Sequence, residues 1–224
     1  MAANTKIIEF FGLPACGKTT LSRYLVENAD PILKVITYGA AIQGLRNKPW
    51  RLIKSFSARN VYRALWLTFL ASFKDNRQNA EWLVHGATYR FLIKFTDFDV
   101  VYVDHGDIQS FVSMERGRDL HLDKNFSKAC STYLDTTPVY AFFYCKVNPQ
   151  IALGRMRQRG RDIGRIDTLS EDVQLKELES ESQRFDFFAR MLREKKKRFM
   201  ELDMNKDVKN IAEDFMSLLS NNQN

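Results

Sequence analysis

The chain has 224 residues, 45% of them hydrophobic and 27% charged, and carries a net charge of +7. That length suits one large domain with a buried core, and the composition excludes a disordered, collagen-like or strongly acidic polypeptide. The three cysteines, Cys16, Cys130 and Cys145, are too scattered for a disulfide scaffold or a closely spaced zinc site, and they fit a reducing cytoplasm.

In chain order, a strand is expected over 6–11, then a glycine-rich turn and a helix over 18–27 stopped by Asn28, Asp30 and Pro31. A short strand over 33–37 leads into a loop at Gly39 and Gly44, followed by helical stretches over about 52–74 and 78–96. The run 99–104, a continuous β-branched and aromatic segment ending in a carboxylate, reads as a buried parallel strand, and 139–147 reads likewise. Asn148 and Pro149 suit the cap and first turn of a helix ending near Arg159. Thr168 and Glu171 have capping-box spacing for a long helix to about Lys197, before a strand over 198–202 and a closing helix over 207–220. Strands alternating with helices predict an α/β three-layer fold with a mainly parallel sheet. The start of the chain lacks an export-signal pattern, and the most apolar internal stretch, 64–71, falls far short of the roughly 20 residues that span a bilayer. A soluble, cytoplasmic protein is expected.

The positive charge is local. No acidic residue lies between Asp30 and Asp75, while Lys34, Arg46, Lys48, Arg51, Lys54, Arg59, Arg63 and Lys74 do. Such a run is either a solvated face or a wall facing an anion, and its interleaved aromatics also suit a nucleic-acid track.

Residues Gly12, Leu13, Pro14, Ala15, Cys16, Gly17, Lys18 and Thr19 match the phosphate-loop pattern G-x-x-x-x-G-K-[ST] without departure, between an apolar strand and an amphipathic helix. Loop amides and the helix N-terminus, continuing to Thr20, would surround nucleotide phosphates. Lys18 would reach the β and γ phosphates, and the Thr19 hydroxyl would ligate Mg²⁺. Cys16 reads as a spacer in this loop. Asp104 ends a buried strand, as a Mg²⁺-facing carboxylate or general base would, with Asp107 as the second candidate. Arg155 and Arg159 sit one turn apart, and the glycine-flanked Arg161 and Arg165 follow, an arginine-rich lid suited to the charge of a transferring phosphoryl group.

The order of phosphate loop, strand-end Asp104, arginine lid and final strand with helix resembles the thymidylate kinase-like and deoxynucleoside kinase-like branch of P-loop kinases over nearly the whole chain. The lid, 159–167, is similar to the R-G-x-x-D-R-x-E lid of thymidylate kinases, with Gly164 inserted before Arg165. This sequence departs from the family's pattern in placing His105 after the strand-end acid and Leu13-Pro14 in the loop. The resemblance implies a P-loop three-layer α/β/α domain over 1–224 whose five-stranded parallel sheet has the order 2-3-1-4-5. It further implies a helical acceptor region at about 40–97, a lid at 155–168 and a base-binding region near 205–209. On this reading ATP and Mg²⁺ are the cofactors, Lys18, Asp104, Arg155, Arg159 and Arg165 carry the chemistry, and Tyr38, Arg46, Arg51, Arg59, His105, Asp107 and Gln109 face the acceptor. The acceptor is a small anionic nucleotide, nucleoside or phosphorylated metabolite; no membrane partner is expected and a homodimer is left open.

The rival is a nucleic-acid-binding P-loop ATPase or polynucleotide 5′-kinase, with no recognised nucleic-acid motif behind it. A guanine-reading switch is disfavoured, because in Asn205-Lys206-Asp207 the aspartate comes one residue early. His85, His105 and His121 are too widely spaced to suggest a metal site.

Overall fold

A computed structural model of the chain describes residues 5–45, 89, 92–93, 96–114, 124–160, 166 and 168–221. Five parallel strands, β1 (Lys6–Phe11), β2 (Val35–Thr37), β3 (Val100–Val103), β4 (Ala141–Lys146) and β5 (Phe199–Asp203), form one sheet in the order β2-β3-β1-β4-β5. This is the expected order. Helices flank the sheet: α1 (Lys18–Glu27), α2 (Tyr38–Leu45), α3 (Asp107–Met114), α4 (Lys124–Thr136), α5 (Pro149–Gln158), α6 (Glu171–Glu194) and α7 (Val208–Asn221).

The chain divides into two compact units. The first comprises residues 1–9 and 29–141, with β2, β3 and the start of β1 in parallel register, Val35 beside Val100 and Lys6 beside Val100 on its other edge. The turn before β2 is held by the Lys34 N–H on Asp99 Oδ2 (2.9 Å), and Ile7, Ile8, Val101 and Val103 are fully buried. The second comprises residues 10–28 and 142–224. There, adjacent strand residues point to opposite faces of the sheet. Phe10 and Phe143 pack on Phe215 of α7, with ring centroids 5.6 and 4.6 Å from it, while Phe11 and Tyr144 pack on Phe185 of α6 at 6.0 and 6.2 Å. Covered faces on both sides explain why β1 and β4 are near-continuous apolar runs.

Several boundaries differ from the sequence reading for local reasons. The segment at Gly39 and Gly44 is not a loop but helix α2: Gly39 has an ordinary helical backbone with open space around its Cα, and the buried Tyr38 and Ala41 anchor the helix. The N-cap position of the long helix is Ser170 rather than Thr168, with no side-chain cap bond from Ser170, and Glu171 and Asp172 complement its N-terminal dipole. It ends at Glu194, and Lys196 then adopts φ 52°. Asn148 caps α5 as expected, its Oδ1 accepting the Gln150 N–H at 2.8 Å. Helices α3 and α4 had no counterpart in the sequence reading. The helical stretches expected over 52–74 and 78–96 lie almost wholly outside the described residues.

Candidate functional site

The phosphate loop joins β1 to α1 and is shaped by backbone that only small residues tolerate. Gly12 has φ +147° and Gly17 has φ +106°; a Cβ on Gly12 would stand 2.4 Å from the Cys145 carbonyl oxygen. Ala15 adopts φ 58°, and the Cys16 N–H closes a turn on the Leu13 carbonyl at 3.3 Å. Left-handed and glycine-lined turns of this kind can present successive amides to an anion. Helix α1 adds its N-terminus, which has neither a side-chain cap nor an acidic residue in its first turn. Lys18 Nζ folds over the loop, donating to the carbonyls of Gly12 (2.8 Å) and Leu13 (2.9 Å) and to Cys16 Sγ (3.4 Å). Thr19 and Thr20, next in the helix, are exposed.

Beside the loop lies a cleft of about 360 Å³ bordered by Gly17, Thr20, Arg155, Arg159, Met204 and Lys206. The Arg155 guanidinium donates to the Cys16 carbonyl (3.3 Å) and the Met204 carbonyl (2.9 Å), so it ties the phosphate loop to the turn after β5. A Cβ on Gly17 would approach Met204 Cε to 3.3 Å, so the loop and this turn pack without slack.

In the first unit, Asp104 follows β3 and is half-buried, His105 is exposed, and Asp107 and Gln109 at the start of α3 are buried. The turn between them is fixed by Glu9 of β1, which is fully buried. Glu9 Oε1 accepts the Ile108 N–H at 2.7 Å, capping α3, and a Cβ on Gly106 would stand 2.4 Å from Glu9 Cδ. Burial and the neighbouring Asp107 charge raise the Glu9 carboxyl well above the usual carboxylate range, against the pull of the Ile108 and Asp107 amides. Asp107 Oδ2 in turn accepts from the Tyr133 hydroxyl at 2.5 Å. The Tyr133 and Tyr89 hydroxyls are both pushed up by burial and then by the Asp107 charge, and Tyr89 packs edge-on against Tyr38 at 5.6 Å.

No protein-family model matches the chain, and no curated protein matches it in sequence. Solved structures match it in shape. A deoxyadenosine kinase from M. mycoides, solved with the product dCMP and a flexible dCDP, aligns with a TM-score of 0.57 at 14% identity, over 96% of this chain and 99% of that one. The deoxyadenosine kinase from the same organism with bound dCTP and with bound dATP gives TM-scores of 0.56 and 0.56, at 15% and 16% identity and the same coverage. The chain shares the fold of these structures.

Within that fold, the expected phosphate-loop residues, from Gly12 to Thr20, lie together. Arg155 and Arg159 border the cleft beside them, while Arg161 and Arg165 lie outside the described residues. Arg46, Arg51 and Arg59 also lie outside them. Tyr38, Asp107 and Gln109 are buried in the first unit rather than open to solvent. Sequence reasoning missed Glu9, Tyr89, Tyr133 and Met204. Only Glu9 left a readable signal: one carboxylate inside the apolar run Ile7-Ile8-Glu9-Phe10-Phe11 must find a partner in the interior.

Proposed function

We propose that the chain is an ATP-dependent kinase that transfers a γ-phosphoryl group to a small nucleoside- or nucleotide-type acceptor. The observation that carries this reading is the phosphate loop: Lys18 folded across a left-handed, glycine-lined turn at an uncapped helix N-terminus, in a kinase fold. Solved structures with the same fold bind dATP, dCTP and dCMP, which supports a nucleoside-type acceptor.

The donor phosphates lie on the loop, whose positive-φ glycines Gly12 and Gly17 let it curl closely at the N-terminus of α1, where free backbone amides favour an anion. Lys18 exchanges its carbonyl contacts for the β and γ phosphates, and the donor base occupies the cleft between Arg159 and the 204–208 turn. For Mg²⁺, the Thr19 hydroxyl and the Asp104 carboxylate supply hard oxygen donors of the kind this ion takes. When bound, the ion neutralises charge on the donor's terminal phosphates. The acceptor oxygen attacks the γ phosphorus, a bond forms between them, and the bond to the β-bridging oxygen breaks to release ADP. If the acceptor is a hydroxyl, Asp104 takes its proton; a phosphate acceptor needs none removed. Arg159 and Arg165 offset charge on the moving phosphoryl group. Arg155 holds the loop as well as lending charge. Tyr38, Arg46, Arg51, Arg59, His105, Asp107 and Gln109 are the candidate acceptor-binding residues.

A coupled assay of ADP release over nucleosides, nucleoside monophosphates, sugar phosphates and a 5′-hydroxyl oligonucleotide tests the reading. Acceptor-dependent release is expected with a nucleoside or nucleotide. Release only with the oligonucleotide would move the function to a polynucleotide kinase. No release above ATP hydrolysis with any acceptor would overturn it.

A further inference from the structure

One carboxyl in the interior has no part in the chemistry assigned above. Glu9 of β1 is fully buried, where an apolar side chain would need no hydrogen-bond partner and a carboxyl does. Only one of its oxygens is satisfied: Oε1 accepts the Ile108 N–H at 2.7 Å, and Oε2 has no hydrogen-bond partner among the described residues. A half-partnered buried carboxyl is a weak stabiliser of a core, so its effect lies in what it holds.

What it holds is the turn that carries Asp104. In the β1–β3 register Glu9 stands beside Val103, the last residue of β3, so it lies where the strand ends and Asp104 begins. Gly106 sits directly against it: a Cβ there would be 2.4 Å from Glu9 Cδ and 2.7 Å from Oε1. The Gly106 carbonyl accepts from the Ser110 N–H and from the Ser110 hydroxyl, both at 3.0 Å, which starts α3 from this same point. Two residues on, the Ile108 N–H is tied to Oε1. One side chain therefore fixes the backbone at Gly106 and again at Ile108, and Asp104 is carried at the start of that stretch.

We propose that Glu9 is a positioning residue for phosphoryl transfer: from β1 it sets the path of the backbone over 104–108 and so the placement of the Asp104 carboxylate. In this role Glu9 touches neither the phosphates nor the acceptor and acts through Gly106 and Ile108. The task of Asp104 rests on the kinase reading above, whereas the hold on the turn rests on the contacts of Glu9 alone. Misplacing a reacting group by about 1 Å can lower turnover by about 10²-fold, so a small change at Glu9 reaches the chemistry. Glutamine keeps an oxygen for the Ile108 amide and nearly the same shape. Leucine fills the apolar surroundings and offers no acceptor.

The test compares Glu9→Gln, Glu9→Leu and Gly106→Ala with the wild type in the full chain. It reads backbone amide hydrogen exchange without ligand, and steady-state turnover with MgATP and the acceptor that supports ADP release. In Glu9→Leu, exchange over 104–110 should quicken by about tenfold while the phosphate loop keeps its protection. Its kcat should fall by about 10- to 100-fold with KM for ATP within about twofold of wild type, a split that a general loss of stability does not produce. Glu9→Gln should return both readouts to near wild-type values. Gly106→Ala presses the turn off Glu9 and should reproduce the Glu9→Leu pattern; it carries the same two readouts should Glu9→Leu not fold. Wild-type kcat or wild-type exchange over 104–110 in folded Glu9→Leu would overturn the proposal, as would Glu9→Gln as impaired as Glu9→Leu. Quickened exchange in Glu9→Leu, with no acceptor-dependent ADP release from the wild type, would instead overturn the kinase reading and leave the hold of Glu9 on the turn standing.

Discussion

Gly106 and Glu9 meet so closely that the glycine has no room for a side chain: a Cβ there would lie 2.4 Å from Glu9 Cδ and 2.8 Å from its Cγ. Glu9 cannot swing aside, because it is fully buried and bonded to the Ile108 amide. Gly106→Ala should therefore destabilise by about 1 to 3 kcal/mol through overpacking. Glu9→Ala removes the obstructing atoms, so the double variant should lose less stability than the two single losses added together. Urea unfolding of the four proteins checks this, and strict additivity would show that the contact carries no energy.

The raised Glu9 carboxyl makes a pH prediction whose sign follows from burial. Because the folded state holds this proton more tightly than the unfolded chain, whose value is near 4.5, the folded state binds more protons above that pH. The Glu9 contribution is fully present below the unfolded value and is lost as pH rises through the folded value. Glu9→Gln keeps an acceptor for the Ile108 amide but cannot titrate. Its stability relative to wild type should climb with pH from about 5 upward, by at most about 1.4 kcal/mol per pH unit. Parallel stability curves for the two proteins between roughly pH 5 and 8 would contradict it.

Legibility in the sequence followed how local each signal was. The phosphate loop was readable residue by residue because its glycines, Lys18 and Thr19 are adjacent in the chain and their spacing is the geometry. Strand runs such as 100–103 were readable because a strand covered on both faces must be continuously apolar. Helix α2 was missed because Gly39 and Gly44 look like punctuation, and only the burial of Tyr38 and Ala41 shows otherwise. The contacts of Gly12 with Cys145, and of Gly106 with Glu9, join distant parts of the chain, and no periodicity encodes such contacts. Arg155 was readable as a charge near the loop but not as a clamp on two carbonyls, since those belong to the backbone.

Lys18→Ala removes the ammonium that spans the Gly12 and Leu13 carbonyls, both of which lie at the edge of the loop. The fold should survive, while MgATP binding weakens by about 1.5 to 3 kcal/mol, roughly 10- to 150-fold, as expected for loss of a charged hydrogen bond. Thermal shift with and without MgATP reads both quantities. A ligand-induced shift equal to that of the wild type would remove Lys18 from the phosphate site.

Arg155→Lys separates two roles for one residue. The guanidinium fork reaches the Cys16 and Met204 carbonyls together, which a single ammonium cannot do. The variant should lose about 1 to 3 kcal/mol of stability even without nucleotide. Arg159→Ala, a residue largely exposed at the end of α5, should leave stability unchanged and lower turnover only. If Arg155→Lys unfolds at the wild-type urea midpoint and affects turnover alone, Arg155 is a lid arginine and not a clamp.

Asp104 is the hinge of the mechanistic assignment, because its strand position suits two jobs that a single substitution can tell apart. It follows the rigid strand β3, and the turn it begins is held from behind by Glu9 and Gly106. If Asp104 holds Mg²⁺, Asp104→Asn should raise the Mg²⁺ concentration needed for half-maximal turnover while leaving acceptor affinity nearly intact. If it is the general base, turnover should instead fall by roughly 10² to 10⁴ at every Mg²⁺ concentration, and the acidic limb of the pH profile should vanish. The base role applies only to a hydroxyl acceptor. A nucleoside acceptor therefore predicts the second pattern and a monophosphate acceptor the first, so the pattern seen with Asp104→Asn also reports which class of acceptor is used. Turnover within about threefold of wild type at saturating Mg²⁺, with an unshifted metal dependence, would exclude both roles for Asp104.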